Sequence, residues 1–158
     1  MATETPEAVP TAASRPAPFP HHYSARVDWS PGTPATLHAV AAPVLHGGPP
    51  SQFGGRDEWW SPEHLLLSAV ALCLQTTYET LAKKAGLALV HFEVHADGVL
   101  DKTREGLVFT RIDLSVKLLA PAADLARATE LAHLAKRHCL VSNALKPPTE
   151  LTVTAEPA

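Results

Sequence analysis

The sequence predicts an α+β domain. Three observations carry that reading: one long segment with apolar residues at three- and four-residue spacing, two segments of strict alternation, and a second helical segment followed by a last alternating run. In order they give β-β-α-β-β-α-β. Strands come in groups and not one per helix, which marks α+β architecture and not an alternating parallel sheet. At 158 residues the chain is long enough for one domain with its own core and short for two.

Each element has a local cause. Residues 1–20, "MATETPEAVPTAASRPAPFP", hold five of the fifteen prolines and little to bury, so they predict a disordered tail ahead of a single domain over 21–158. "HYSARVDW" and "ATLHAVA", separated by "SPGTP", predict a hairpin. Pro43 to Trp60, with three Pro and four Gly, predicts a long irregular loop. The first helix begins at a Ser61 cap with Pro62 in its first position and Glu63 against the positive end of its dipole. Leu65, Leu66, Ala69, Val70, Cys73, Thr77 and Leu81 form its apolar stripe, and Lys83, Lys84 and Gly86 end it. Val90, Phe92, Val94 and Ala96 then alternate with polar neighbours, "KTREG" turns the chain, and Ile112, Leu114, Val116 and Leu118 alternate again. That period of two predicts paired, half-buried strands. Leu125, Ala128, Leu131, Ala132, Leu134 and Ala135 mark the second helix, "LVSNALKPP" breaks it, and "TELTVTAEP" is the last strand.

Composition narrows the function. A formal charge of −3 provides no footprint for nucleic acid or anionic lipid. No continuous apolar run approaches the ~20 residues of a membrane span, and the N-terminus lacks the pattern of a secretory signal. The expected location is the cytoplasm, where thiols stay reduced. Two cysteines there are packing material or redox chemistry, not a structural staple.

Cys73 sits well inside the first helix and Cys139 at the end of the second. A thiol reacts as its thiolate and needs positive charge or donors nearby. The dipole of Cys73's own helix cannot help, because its effect fades within the first turn. Taken alone, Cys73 is a buried small hydrophobe or a thiol served by a cation from elsewhere, with Glu63 placed to orient that cation. Cys139 follows Lys136, Arg137 and His138, but a helix C-terminus disfavours a thiolate, so it suits a resolving role better than an attacking one. Nine histidines show no metal-ligand spacing; "HH" at 21–22 borders the tail, and His91 and His95 fall on a polar strand face. Trp59 and Trp60 either line an apolar pocket or cap the core.

"SPEHLLLSAVALCLQTTYETLAKKAGL" and "HCLVSNALKPP" resemble the two signature helices of the OsmC/Ohr family, the osmotically induced and organic hydroperoxide resistance proteins. The resemblance spans roughly residues 23–157. It implies an intertwined homodimer with two long central helices wrapped by antiparallel sheets, and active sites at the subunit interface. It also implies a thiol peroxidase acting on organic, and to a lesser degree hydrogen, peroxides. Cys73 would be the peroxidatic thiolate, and Cys139 the resolving thiol that closes an intramolecular disulfide reopened by an external dithiol. Glu63 matches the carboxylate that holds an activating arginine. Arg56, in the loop before the helix, and Arg26, on the first strand, are the candidates for that arginine. The resemblance implies no cofactor and no metal. The alternative is a non-catalytic dimer that binds a small apolar ligand and keeps its cysteines inert.

Overall fold

A computed structural model describes residues 18–158. The tail expected over 1–20 lies outside them, except for its last three residues.

The first three strands, β1 (Arg26–Asp28), β2 (Ala35–His38) and β3 (Leu45–Gly47), form a small antiparallel meander. The expected hairpin is β1 and β2. The third strand and a 3₁₀ turn at Ser51–Phe53 fall where a structureless loop was expected. The loop is ordered by partners distant in sequence. Thr36 pairs with His46, and the Trp60 N–H donates to the His46 carbonyl at 3.0 Å. Gly47 allows that approach, because a Cβ there would sit 3.0 Å from the Trp60 carbonyl oxygen and 2.9 Å from Leu37. This sheet leaves Val27 and Trp29 exposed.

Helix α1 (Pro62–Ala85) keeps both expected ends. The Ser61 hydroxyl accepts the His64 N–H at 3.2 Å, and Gly86, at φ 65°, supplies the left-handed stop. Its buried seam is Val70, Leu74, Tyr78 and Ala82. That seam is turned from the expected stripe: Ala69 is exposed, and Cys73 and Leu81 lie at its edge, because Leu74 and Tyr78 offer the larger apolar area to the sheet. Against expectation, α1 is long and apolar enough to cross a membrane by length and composition. The hydroxyls of Thr76, Thr77 and Thr80 donate to carbonyls one turn back, so these three are satisfied within the helix. Tyr78 packs 4.7 Å from the Phe92 ring, which seats one face of α1 on the sheet.

Strands β4 (His91–Thr103) and β5 (Gly106–Ala120) form the long expected hairpin. Its alternation puts Ile112, Leu114, Val116 and Leu118 into the core. The pairing skips one residue on β5, Thr110, so that Leu100 faces Phe109. Gly98 lies tight between the layers: a Cβ there would meet Phe109 at 2.6 Å and Leu67 at 3.0 Å. Helix α2 (Leu125–His138) buries Ala128, Ala132 and Ala135, small residues that let it lie close to α1. A short helix α3 (Leu140–Ala144) replaces the expected break, and strand β6 (Thr149–Pro157) completes the sheet. The expectation of wholly antiparallel sheets is corrected here, because β6 runs parallel to β5. Helices α2 and α3 carry the chain back across the sheet between them, which is the crossover a parallel pair needs.

Candidate active site

The two cysteines meet where α1 passes the junction of α2 and α3. Cys139 leaves the helix at φ −68°, ψ 106°, and the Asn143 side chain donates to the Arg137 carbonyl at 2.9 Å, closing the end of α2. The Asn143 N–H returns to the Cys139 carbonyl at 3.1 Å and starts α3. This turn aims the Cys139 sulfur at α1, 3.9 Å from the Val70 carbonyl oxygen, one turn before Cys73. It also brings the Val141 N–H to the Cys73 sulfur at 3.5 Å. Cys73 is half-buried and Cys139 is 0% exposed, so a solute can approach one thiol and not the other. Both are free thiols.

Burial pushes the Cys139 thiol above the ordinary range, because a thiolate there would lose its water. Hydrogen bonds from Ser142 pull it partly back, and the neighbouring Cys73 sulfur pushes it up again by hydrogen bonding and charge repulsion. This has a kinetic sign. A thiol held protonated attacks poorly, and its thiolate fraction grows about tenfold per pH unit until the raised value is passed. If Cys139 resolves an oxidised Cys73, disulfide closure is therefore expected to accelerate about tenfold from pH 7 to 8 and to keep rising beyond the ordinary thiol value near 8.5. Stopped-flow fluorescence on protein oxidised with one equivalent of hydroperoxide reads that rate. A pH-independent closure would contradict attack by the buried thiol.

The structure does not assemble the rest of the expected set around Cys73 within one chain. Ten residues separate Glu63 from Cys73 on α1, which is about 15 Å along the axis. Glu63 also leans toward the helix N-terminus, away from Cys73. Its Oε2 is buried without a hydrogen-bond partner, and the residue lines a cavity of about 440 Å³ between the start of α1 and the end of the β4–β5 hairpin. Arg56 does not reach it. Hydrogen bonds from Trp60 and Gly48 pin the pre-helix loop to β3, and the Arg56 guanidinium lies over the Trp59 ring at 5.5 Å on the solvent side. Arg26 is spent on Asp28, at 2.7 Å, on the exposed first sheet. The Glu63–arginine pair expected from the sequence is thus absent among the described residues. Of the two tryptophans, Trp59 is partly buried against Gly48, and Trp60 is exposed at the mouth of a small pocket with His64. No group of three or more His, Cys, Asp or Glu placed to hold a metal occurs among the described residues.

The family model for OsmC-like proteins matches residues 55–154, a stretch that includes both cysteines and Glu63. The chain belongs to the OsmC-like family. The Bacillus subtilis protein YmaD is 23% identical over 141 residues, covering 85% of this chain and 93% of its own. Among solved structures, an OsmC-like protein of Vibrio cholerae superposes with a TM-score of 0.77 at 16% identity, covering 85% of this chain and 99% of its own. An organic hydroperoxide resistance protein of Elizabethkingia anophelis gives 0.70 at 17%, covering 89% and 99%. At these identities the superpositions show a shared OsmC-like fold.

Two contributors to the OsmC-like thiol pair were not singled out from sequence. The Val141 amide is a main-chain group and has no residue signature. Ser142 was visible in "HCLVSN", but its hydrogen bonds to Cys139 depend on α3 forming directly after the cysteine.

Proposed function

We propose that this OsmC-like protein is a thiol peroxidase for apolar hydroperoxides. The single observation that carries the reading is the pairing of a partly exposed thiol, Cys73, with a fully buried one, Cys139, across α1 and α3. The Cys73 thiolate attacks the terminal peroxide oxygen, the O–O bond breaks, the leaving alkoxide takes up a proton, and Cys73 becomes a sulfenic acid. The Cys139 sulfur then displaces water from that sulfenic acid to form the disulfide. An external dithiol reduces it and is itself oxidised. The match of the family and the names of structural neighbours support this reading.

The site we propose is shared between two subunits in a reducing, cytoplasmic setting. The motive is the distance from Glu63 to Cys73 within one helix, which no single side chain spans. The outward face of α1 carries Ser68, Ala69 and Leu72, the last 62% exposed. Two such helices packed antiparallel about a two-fold axis near Ser68 would set Glu63 of one subunit level with Cys73 of the partner subunit. Leu67, Leu100, Leu107 and Phe109 on the cavity wall favour an alkyl or aryl hydroperoxide over hydrogen peroxide.

A free-thiol count before and after one equivalent of cumene hydroperoxide tests the reading. Loss of two thiols per chain is the expected result. An unchanged count would leave a binding module with inert cysteines.

A further inference from the structure

The structure assigns Lys102 as the cation held by Glu63, a positioning residue in the place where an arginine was expected; this rests on the peroxidase reading and its shared site. A buried carboxylate oxygen without a donor is costly, so Glu63 Oε2 needs a partner that neither Arg56 nor Arg26 provides.

The sheet provides one. Because the skipped residue lies on β5, the period of two on β4 continues unbroken through the irregularity. Phe92, Val94, Ala96 and Gly98 therefore share the half-buried face turned to α1, and Leu100 and Lys102 continue that row into the exposed end of the strand, with Lys102 its one charged member. The row follows α1 toward its N-terminus: Phe92 lies by Tyr78, and Gly98 lies by Leu67. Leu100 and Lys102, further along the row, line the cavity that also takes in Ser61 and Glu63 at the start of α1. Glu63 and Lys102 line the same cavity.

Among the described residues the Lys102 ammonium has no ion pair or hydrogen bond; only its main-chain N–H is used, toward Asp101 Oδ1 at 2.7 Å. The long flexible stem of a lysine lets its ammonium swing across the shared cavity toward the Glu63 carboxylate. His64 and Asp101 are the other titratable groups on that cavity. The imidazole is held through its Nδ1 against the Ser61 hydroxyl at 2.9 Å, which leaves Lys102 as the one lysine or arginine on that cavity. In the shared site the Glu63–Lys102 pair holds that charge level with Cys73 of the partner subunit and favours its thiolate.

The test uses the reduced full-length protein and iodoacetamide, and reads the rate of Cys73 alkylation against pH. Lys102→Met is expected to slow alkylation at pH 7 about tenfold or more and to move the profile to higher pH, by analogy with the loss of an opposite charge beside an ionised group. Lys102→Arg should restore most of the rate. Adding Lys102→Met to Glu63→Gln should cost less than it costs alone, because the two act as a pair. A Lys102→Met profile that superimposes on the wild type, or an equal loss in Lys102→Arg, would overturn the assignment. If the wild-type protein loses no thiols to cumene hydroperoxide, the peroxidase reading fails by itself. If it loses two while Lys102→Met alkylates normally, only Lys102 is dismissed.

Discussion

Cys73→Ser is expected to abolish hydroperoxide consumption, and Cys139→Ser to leave one turnover per chain that ends in a trappable sulfenic acid. The asymmetry follows from where the sulfurs lie. Cys73 is half-buried and receives the Val141 N–H, so a peroxide can meet it and a donor can favour its thiolate. Cys139 is sealed under α1 and held protonated by burial, so it cannot serve as the first nucleophile. With Ser at 73 the attacking group is lost, and a rate loss of several orders of magnitude is expected, as when an enzyme nucleophile is removed. With Ser at 139 the first step remains while resolution fails, so consumption stops at about one equivalent. Peroxide electrode traces together with dimedone labelling and intact mass distinguish the two variants. Undiminished steady turnover by either variant would remove that cysteine from the proposed cycle.

The sequence carried the helix ends and the long hairpin because those depend on neighbours. Ser61, Pro62 and Gly86 act within four residues of themselves, and the β4–β5 alternation is a local period. It carried less of what depends on distant partners. Strand β3 exists because His46 bonds to Thr36's strand and to Trp60, neither of which the Gly- and Pro-rich loop announces. The buried seam of α1 was misplaced by one position, since only the sheet decides whether Cys73 or Leu74 faces inward. The two cysteines were singled out by their motifs and the structure brings them together, whereas Glu63, singled out in the same way, stands apart from them within one chain. The cation proposed for Glu63 was not singled out, because only the fold shows that Lys102, at the exposed end of β4 and four residues past Gly98, the last half-buried position of the alternation, lines the same cavity. The arginine expected beside Glu63 instead lies on Trp59, where loop packing and not motif distance set its direction.

Mixing two inactive variants is expected to restore activity if the site is shared between subunits. Glu63→Gln removes the carboxylate and keeps both thiols, whereas Cys73→Ser removes the thiol and keeps the carboxylate. Within one chain these residues stand about 15 Å apart along α1, so each variant alone has two broken sites in a dimer. In a mixed dimer the two lesions fall into the same site, which leaves the other site with Glu63 from one chain and Cys73 from its partner. Random exchange of equal amounts makes about half of the dimers mixed, each with one of its two sites intact, so steady-state consumption should rise to about one quarter of the wild-type rate. Subunits can be exchanged by mild denaturant and the mixed dimer isolated with a tag on one variant. Leu72→Asp offers the complementary arm. It places a charge on the exposed apolar face of α1, and sedimentation should show monomers that retain their two free thiols and consume no peroxide. No recovery in mixed dimers that are shown to form would place each working site within a single chain. Cys73 would then have to draw its activation from the Val141 amide and not from any group near Glu63.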